Sequence, residues 1–163
     1  MKVQLLDVRK DALVEAKLIR AGLVDMKGHI HDGWQFDWKK HFGLVHSQAF
    51  KIVTMANPNK VQGLMIFQML QKTIPYMAYL ESAPHNKGSK KELDFVAGCL
   101  IAKACQLSFT EGKDDHKGYL SFRCMDEIVI ANYGKYGAVR IGNTHSLLIE
   151  PAVGSKLIEE YLF

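Results

Sequence analysis

The sequence is sparing with the features that assign a protein to a class at a glance. It holds three cysteines, Cys99, Cys105 and Cys124, in 163 residues. Three thiols cannot all pair with one another, and none has metal-ligand spacing, so neither a disulfide scaffold nor a zinc module is expected. Free thiols fit a reducing compartment, and a cytoplasmic protein is expected. No apolar run approaches the roughly 20 residues that span a bilayer, which excludes a membrane helix. The start, Met1-Lys-Val-Gln-Leu-Leu-Asp-Val-Arg9, meets charge too early for a signal peptide. The charge excess is small: 21 Lys plus Arg against 17 Asp plus Glu, a net +4. That falls short of a clustered basic stripe, so nucleic acid is not an expected partner. No G-x-S-x-G, H-E-x-x-H or G-x-x-x-x-G-K-[ST] motif occurs. His29 and His31 stand two apart but lack further ligands at a known spacing, so no metal is expected.

What is present reads as one globular domain over residues 1–163, without repeats or a linker. Hydrophobic residues make up 48% and charged residues 23%, which argues against disorder. Val3 to Val8 reads as a short strand. Asp11 can cap a helix through about Leu23, with Val14, Leu18 and Ala21 on one face. Trp34, Phe36 and Trp38 alternate with polar residues, the period of extended chain. Ala49–Met55 and Val61–Met69 flank the turn Asn57-Pro58-Asn59-Lys60 as an antiparallel hairpin, and Tyr76–Ser82 adds a third strand. After the polar stretch from Asn86 to Glu92, the strongest helical pattern runs from about Leu93 to Phe109, with Val96, Leu100, Ala104 and Leu107 in phase. Tyr119–Arg123 is a strand, and strand–helix–strand order implies a parallel pair. A short helix from about Asp126 ends near Gly137. Ala138–Ile141 and His145–Ile149 form a closing hairpin, and Ser155–Tyr161 a terminal helix.

The stretch from Tyr76 to Phe109 carries the chemistry. A strand ends at Ala83-Pro84, a polar loop follows, and a helix opens around Phe95-Val-Ala-Gly98. The first turn of a helix leaves about four backbone N–H groups unpaired and carries about half a positive charge. Small residues there, Ala97 and Gly98, would let a phosphate approach those donors. Equally, they would allow close packing of the helix on its neighbours.

The order of elements resembles the GNAT (N-acetyltransferase) superfamily over nearly the whole chain. The segments Tyr79-Leu-Glu-Ser-Ala-Pro84 and Val96-Ala-Gly-Cys-Leu-Ile-Ala-Lys-Ala104 are similar to the family's fourth strand and its cofactor-pyrophosphate loop and helix. Asn132-Tyr-Gly-Lys-Tyr-Gly-Ala138 is similar to the segment after the fifth strand. The resemblance implies an α+β fold, a mixed and mostly antiparallel sheet of about seven strands flanked by about four helices. It implies acetyl-CoA as cofactor, held by Leu80, Ser82, Lys87, Phe95, Val96, Ala97, Gly98, Cys99 and Asp126. The sequence departs from the family's Q/R-x-x-G-x-G/A pattern: Glu92 stands where Gln or Arg is expected and Phe95 where the first Gly belongs. Glu92 has the wrong sign for a phosphate site and Phe95 adds bulk, for which Lys87, Lys90 or Lys91 could compensate. Asp126 takes the place of a frequent Asn.

The implied activity is direct transfer of an acetyl group from coenzyme A to an amine, without a covalent enzyme intermediate. Tyr133 aligns with the family's acid for the departing thiolate; its alternative is a tyrosine packed on the sheet. Glu81, on one strand face with Tyr79, is the expected base, acting directly or through water, or else a solvated or ion-paired carboxylate. Backbone N–H groups near Leu80 to Ser82 would hold the thioester oxygen. Trp34, Phe36, Trp38 and Tyr79 are the expected acceptor wall, with aromatic faces suited to a cationic small-molecule or peptide amine; Trp34 and Phe36 could instead form a satellite core. Open sheet edges near the closing hairpin leave room for a homodimer. The competing reading is a GNAT-fold binding module that no longer binds cofactor.

Overall fold

The computed structural model describes residues 1–26 and 32–162; His29 and His31 lie outside them. The chain forms β1 (Lys2–Asp7), β2 (Ala12–Arg20), α1 (Trp38–His41), β3 (Ser47–Thr54), β4 (Gly63–Leu70), β5 (Ile74–Ser82), β6 (Leu93–Asp94), α2 (Val96–Glu111), β7 (Leu120–Arg123), α3 (Glu127–Gly134), β8 (Val139–Arg140), β9 (Ser146–Ile149) and α4 (Pro151–Tyr161). All nine strands join one sheet in the order β6-β1-β2-β3-β4-β5-β7-β9-β8. Every pairing is antiparallel except β5 with β7, the parallel pair that the strand–helix–strand order predicts. The architecture is the expected α+β sheet with four helices, and among the described residues it has nine strands where about seven are expected.

Two local expectations are corrected. The segment after Asp11 is a strand, not a helix. Asp11 has φ +48° and turns the chain back, so β2 pairs antiparallel with β1. Along β2 the buried residues are Ala16 and Leu18, the period of two that a one-sided strand requires. The segment carrying Trp34, Phe36 and Trp38 is not extended. It runs irregularly into α1, a single turn capped by the Asp37 carboxylate on the Lys40 N–H.

The sheet separates two cores. Helix α2 fills the larger one: Cys99, Leu100, Ile101, Ala102, Ala104 and Cys105 are all fully buried between β-strands and α4. Gly63 sets where α2 begins, because a Cβ there would stand 2.5 Å from Val96 Cγ1. On the opposite face Met26, Trp34 and Trp38 pack with Leu64, Ile66 and Ala83. Among the described residues, no helix is long and apolar enough to cross a membrane.

Candidate active site

The site begins with an irregularity in β5. Ile66 pairs with Tyr79 and Phe67 with Met77, so Ala78 is an extra residue, a β-bulge. The bulge puts Ala78 and Tyr79 on the same face, beside Trp38, while Met77 and Leu80 face the larger core. It also bends the strand. The ladder between β5 and β7 is short, with Tyr76 opposite Ser121 as its one register pair among the described residues. Ala83 N–H bonds to Gln62 O at 2.9 Å on the β4 side. Because N–H groups alternate along a strand, those of Leu80 and Ser82 point the other way, into the gap.

The gap is a cleft in two connected parts. The inner part, about 270 Å³, is walled by Phe36, Tyr79, Phe122, Cys124, Asp126 and Tyr133 among others. The outer part, about 450 Å³, is walled by Ser82, Lys87, Lys91, Ala97, Asn132 and Lys135 among others. Gln35, Leu80, Val129 and Tyr133 belong to both. Three lysines thus surround the outer end, where α2 begins. Lys87 and Lys91 are there, as a compensating charge requires; Lys90 is exposed and does not wall the cleft.

At the start of α2, Phe95 N–H donates to Asp94 Oδ1 at 2.8 Å and Cys99 N–H to Phe95 O at 3.0 Å. The amides of Val96, Ala97 and Gly98 remain as the orphan donors of the first turn. Ala97 is the one of these three whose residue walls the cleft.

Tyr133 stands between the two parts of the cleft, with its ring on Phe122 at a centroid distance of 4.7 Å. None of the hydrogen bonds among the described residues engages its hydroxyl. Burial, followed by the neighbouring Cys124 and Tyr136, pushes its pKa upward, so the phenol stays protonated well past its ordinary value. Asp126 caps α3 through Oδ1, which accepts from the Ile128 and Val129 N–H groups at 2.8 and 3.2 Å.

No protein-family sequence model matches the chain, and no curated protein sequence does. Solved structures do match. The KacTA–DNA complex is similar at a TM-score of 0.64 and 11% identity, over 89% of this chain and 99% of that one. AtaTR bound with AcCoA is similar at 0.63 and 15%, over 88% and 98%. A protein assigned to the GNAT acetyltransferase family in Desulfovibrio desulfuricans is similar at 0.56 and 9%, over 83% and 99%. The chain has the GNAT fold.

The residues expected to serve a GNAT site divide on inspection. Leu80, Ser82, Lys87, Ala97 and Asp126 wall the cleft, as do Phe36, Tyr79 and Tyr133. Phe95 takes the left-handed conformation, φ +74°, which favours the glycine that the GNAT pattern has there. Its ring turns away from the cleft and meets Tyr161 of α4 edge-on at 6.1 Å. Glu92 also turns away, toward Lys60 at 3.8 Å. The two departures therefore leave the cleft open.

The side chains of the other expected residues are engaged elsewhere. The small size of Gly98 serves α4: a Cβ there would lie 2.4 Å from the Tyr161 ring. Cys99 is fully buried with Sγ facing Gln4 O at 3.9 Å, and burial pushes its thiol up to about 12, so its side chain belongs to the core. Val96 is likewise buried. Trp34 and Trp38 are 9% and 1% exposed, so their faces are packed into the second core and not offered to a ligand. The Glu81 carboxylate is 4% exposed and accepts four hydrogen bonds. Oε2 takes Gln35 N–H at 2.6 Å and the Lys87 ammonium. Oε1 takes Phe36 N–H at 3.1 Å and Trp38 Nε1–H at 2.8 Å. A carboxylate offers about four lone-pair positions, and all four are filled. A base must accept a proton, and Glu81 has no position open for one.

Proposed function

We propose that the protein is an acetyl-CoA-dependent N-acyltransferase, a single GNAT-like domain that passes an acetyl group directly to an amine. The observation that carries this is the cleft between β5 and β7, where strand amides, a helix start, three lysines and a protonated tyrosine line two adjoining spaces that share Gln35, Leu80, Val129 and Tyr133. In this reading Lys87, Lys91 and Lys135 with the Ala97 amide hold the diphosphate of coenzyme A. The Leu80 and Ser82 N–H groups hold the thioester oxygen as it gains charge. The amine nitrogen attacks the carbonyl carbon, the carbon–sulfur bond breaks, and the Tyr133 hydroxyl gives the departing sulfur its hydrogen bond and then its proton. Two protons leave the incoming ammonium: one goes to water in the open cleft before attack, since the Glu81 oxygens are occupied, and the second leaves the nitrogen after attack and returns through water to the Tyr133 oxygen. Phe36, Tyr79 and Asp126 form the acceptor side, where the Asp126 carboxylate supplies the negative charge that suits a cationic amine.

Acyl transfer is tested by release of coenzyme A thiol from acetyl-CoA across a panel of amines that includes a polyamine, an amino-acid α-amine and a lysine peptide. Turnover with at least one class supports the reading; no binding of acetyl-CoA and no turnover of any class supports the module that no longer binds cofactor. A macromolecular partner is a second strand of this proposal. One similar structure is a complex with DNA and another is AtaT bound to the C-terminus of the antitoxin AtaR. These weigh against dismissing nucleic acid, and make a protein partner the first to seek by co-purification.

A further inference from the structure

Glu81 links the 35–38 segment to the outer cleft. Its side chain reaches the loop amides of Gln35 and Phe36 and the indole of Trp38, which lie 43 to 46 residues away in sequence. On the other side it holds Lys87, an ammonium on the wall of the outer cleft whose side chain is 38% exposed. Lys87 is the one cation on this carboxylate among the described residues. An ammonium has three N–H donors; one goes to Glu81, and the others are available to the cleft.

We propose that Glu81 is a positioning residue, a strut through which an anion bound at Lys87 is felt at Trp38 and the acceptor wall. The inference rests on the reading of the outer cleft as a diphosphate site. A diphosphate that draws on the Lys87 ammonium takes counter-charge from a carboxylate that is buried and screened poorly by solvent. The carboxylate then leans on its three remaining donors, one of them the indole N–H. Binding on the lysine side thereby tightens the Gln35–Trp38 segment.

Of the two tryptophans of the chain, Trp38 lies in this segment and Trp34 directly before it, so emission reads the strut without any assay of activity. In a Trp34→Phe background, Trp38 is the sole tryptophan, read by exciting at wavelengths that tyrosine does not absorb. Less screened negative charge beside its pyrrole nitrogen stabilises the excited state and shifts emission to the red. Coenzyme A is the probe. The expected result is a red shift on titration in the parent, absent in Lys87→Met and restored in Lys87→Arg. Lys87→Met should also show the red shift before any ligand is added, because the cation is already gone. An equal ligand-induced shift in Lys87→Met, or ligand-free emission identical to the parent, would overturn the strut. Absence of coenzyme A binding to the parent, read by calorimetry, would instead overturn the functional reading, and the ligand-free comparison would still decide on the strut.

Discussion

Replacing Ala97 by aspartate separates the stability of the helix from its use as an anion site. Ala97 is half-buried, walls the outer cleft and follows the first residue of α2. An acidic residue in the first turn complements the helix dipole and is worth about 0.3–1 kcal/mol in favour of folding. The same charge would stand about 5 Å from a bound diphosphate, and at an effective dielectric of about 20 each pair of unit charges there repels by roughly 3 kcal/mol. Since about 1.4 kcal/mol is a factor of ten, affinity should fall on the order of 100-fold. Calorimetric titration with coenzyme A measures the loss, and thermal unfolding without ligand measures the helix. The expected pair of results is a Tm equal to or slightly above that of the parent and binding weakened about 100-fold. Unchanged affinity in a folded Ala97→Asp variant would refute the placement of the diphosphate at the start of α2.

Phe95→Gly relieves a left-handed residue worth about 1 kcal/mol, but loses an edge-on ring contact worth about 0.5–1.5 kcal/mol and loosens the unfolded chain by about 0.4–1 kcal/mol. Chemical denaturation should show destabilisation by no more than about 1.5 kcal/mol, with coenzyme A affinity within about twofold; a tenfold gain in affinity would mean that the ring obstructs the cradle. Tyr133→Phe should lower kcat by about 10²-fold while calorimetry finds the same affinity for acetyl-CoA; an unchanged kcat removes the hydroxyl from the reaction. Burial pushes the thiols of Cys99 and Cys105 from 9.0 up to about 12. In the unfolded chain they ionise first, so the stability tied to their protonated forms is complete below pH 9 and is lost as pH rises toward 12. The Tm of the parent should therefore fall more steeply over that range than the Tm of Cys99→Ala/Cys105→Ala, and parallel profiles would contradict the burial of the two thiols.

The sequence was most readable where local pattern and tertiary environment agree. The β3–β4–β5 meander, α2, the parallel β5–β7 pair and the closing hairpin all follow from runs of apolar residues bounded by turns. The strand β2 escaped because Val14, Leu18 and Ala21 fit a helical period, while the alternation of Ala16 and Leu18 has only two buried members to announce it. The gap at Leu80 and Ser82 was legible as a strand bordering a loop; the bulge at Ala78 that opens it has no turn residue to mark it. Three site assignments depended on distant partners. Gly98 is small for the sake of Tyr161, and Trp38 is buried by residues of β4 and β5. Glu81 owes its saturation to the 35–38 segment and Lys87, and a carboxylate on a strand carries no local sign of how many donors will converge on it. Lys135, which joins Lys87 and Lys91 at the outer cleft, was missed because its position follows the turn of α3 and not the phosphate loop.

The account as a whole stands on acetyl-CoA entering the space between β5 and β7, and isothermal titration of the unmodified protein tests it directly. One molecule of acetyl-CoA should bind per chain, and at about 100 times the dissociation constant it should add about 2.7 kcal/mol to the stability. Absence of both binding heat and stabilisation at a ligand concentration on the order of 1 mM, where even weak sites respond, would contradict it.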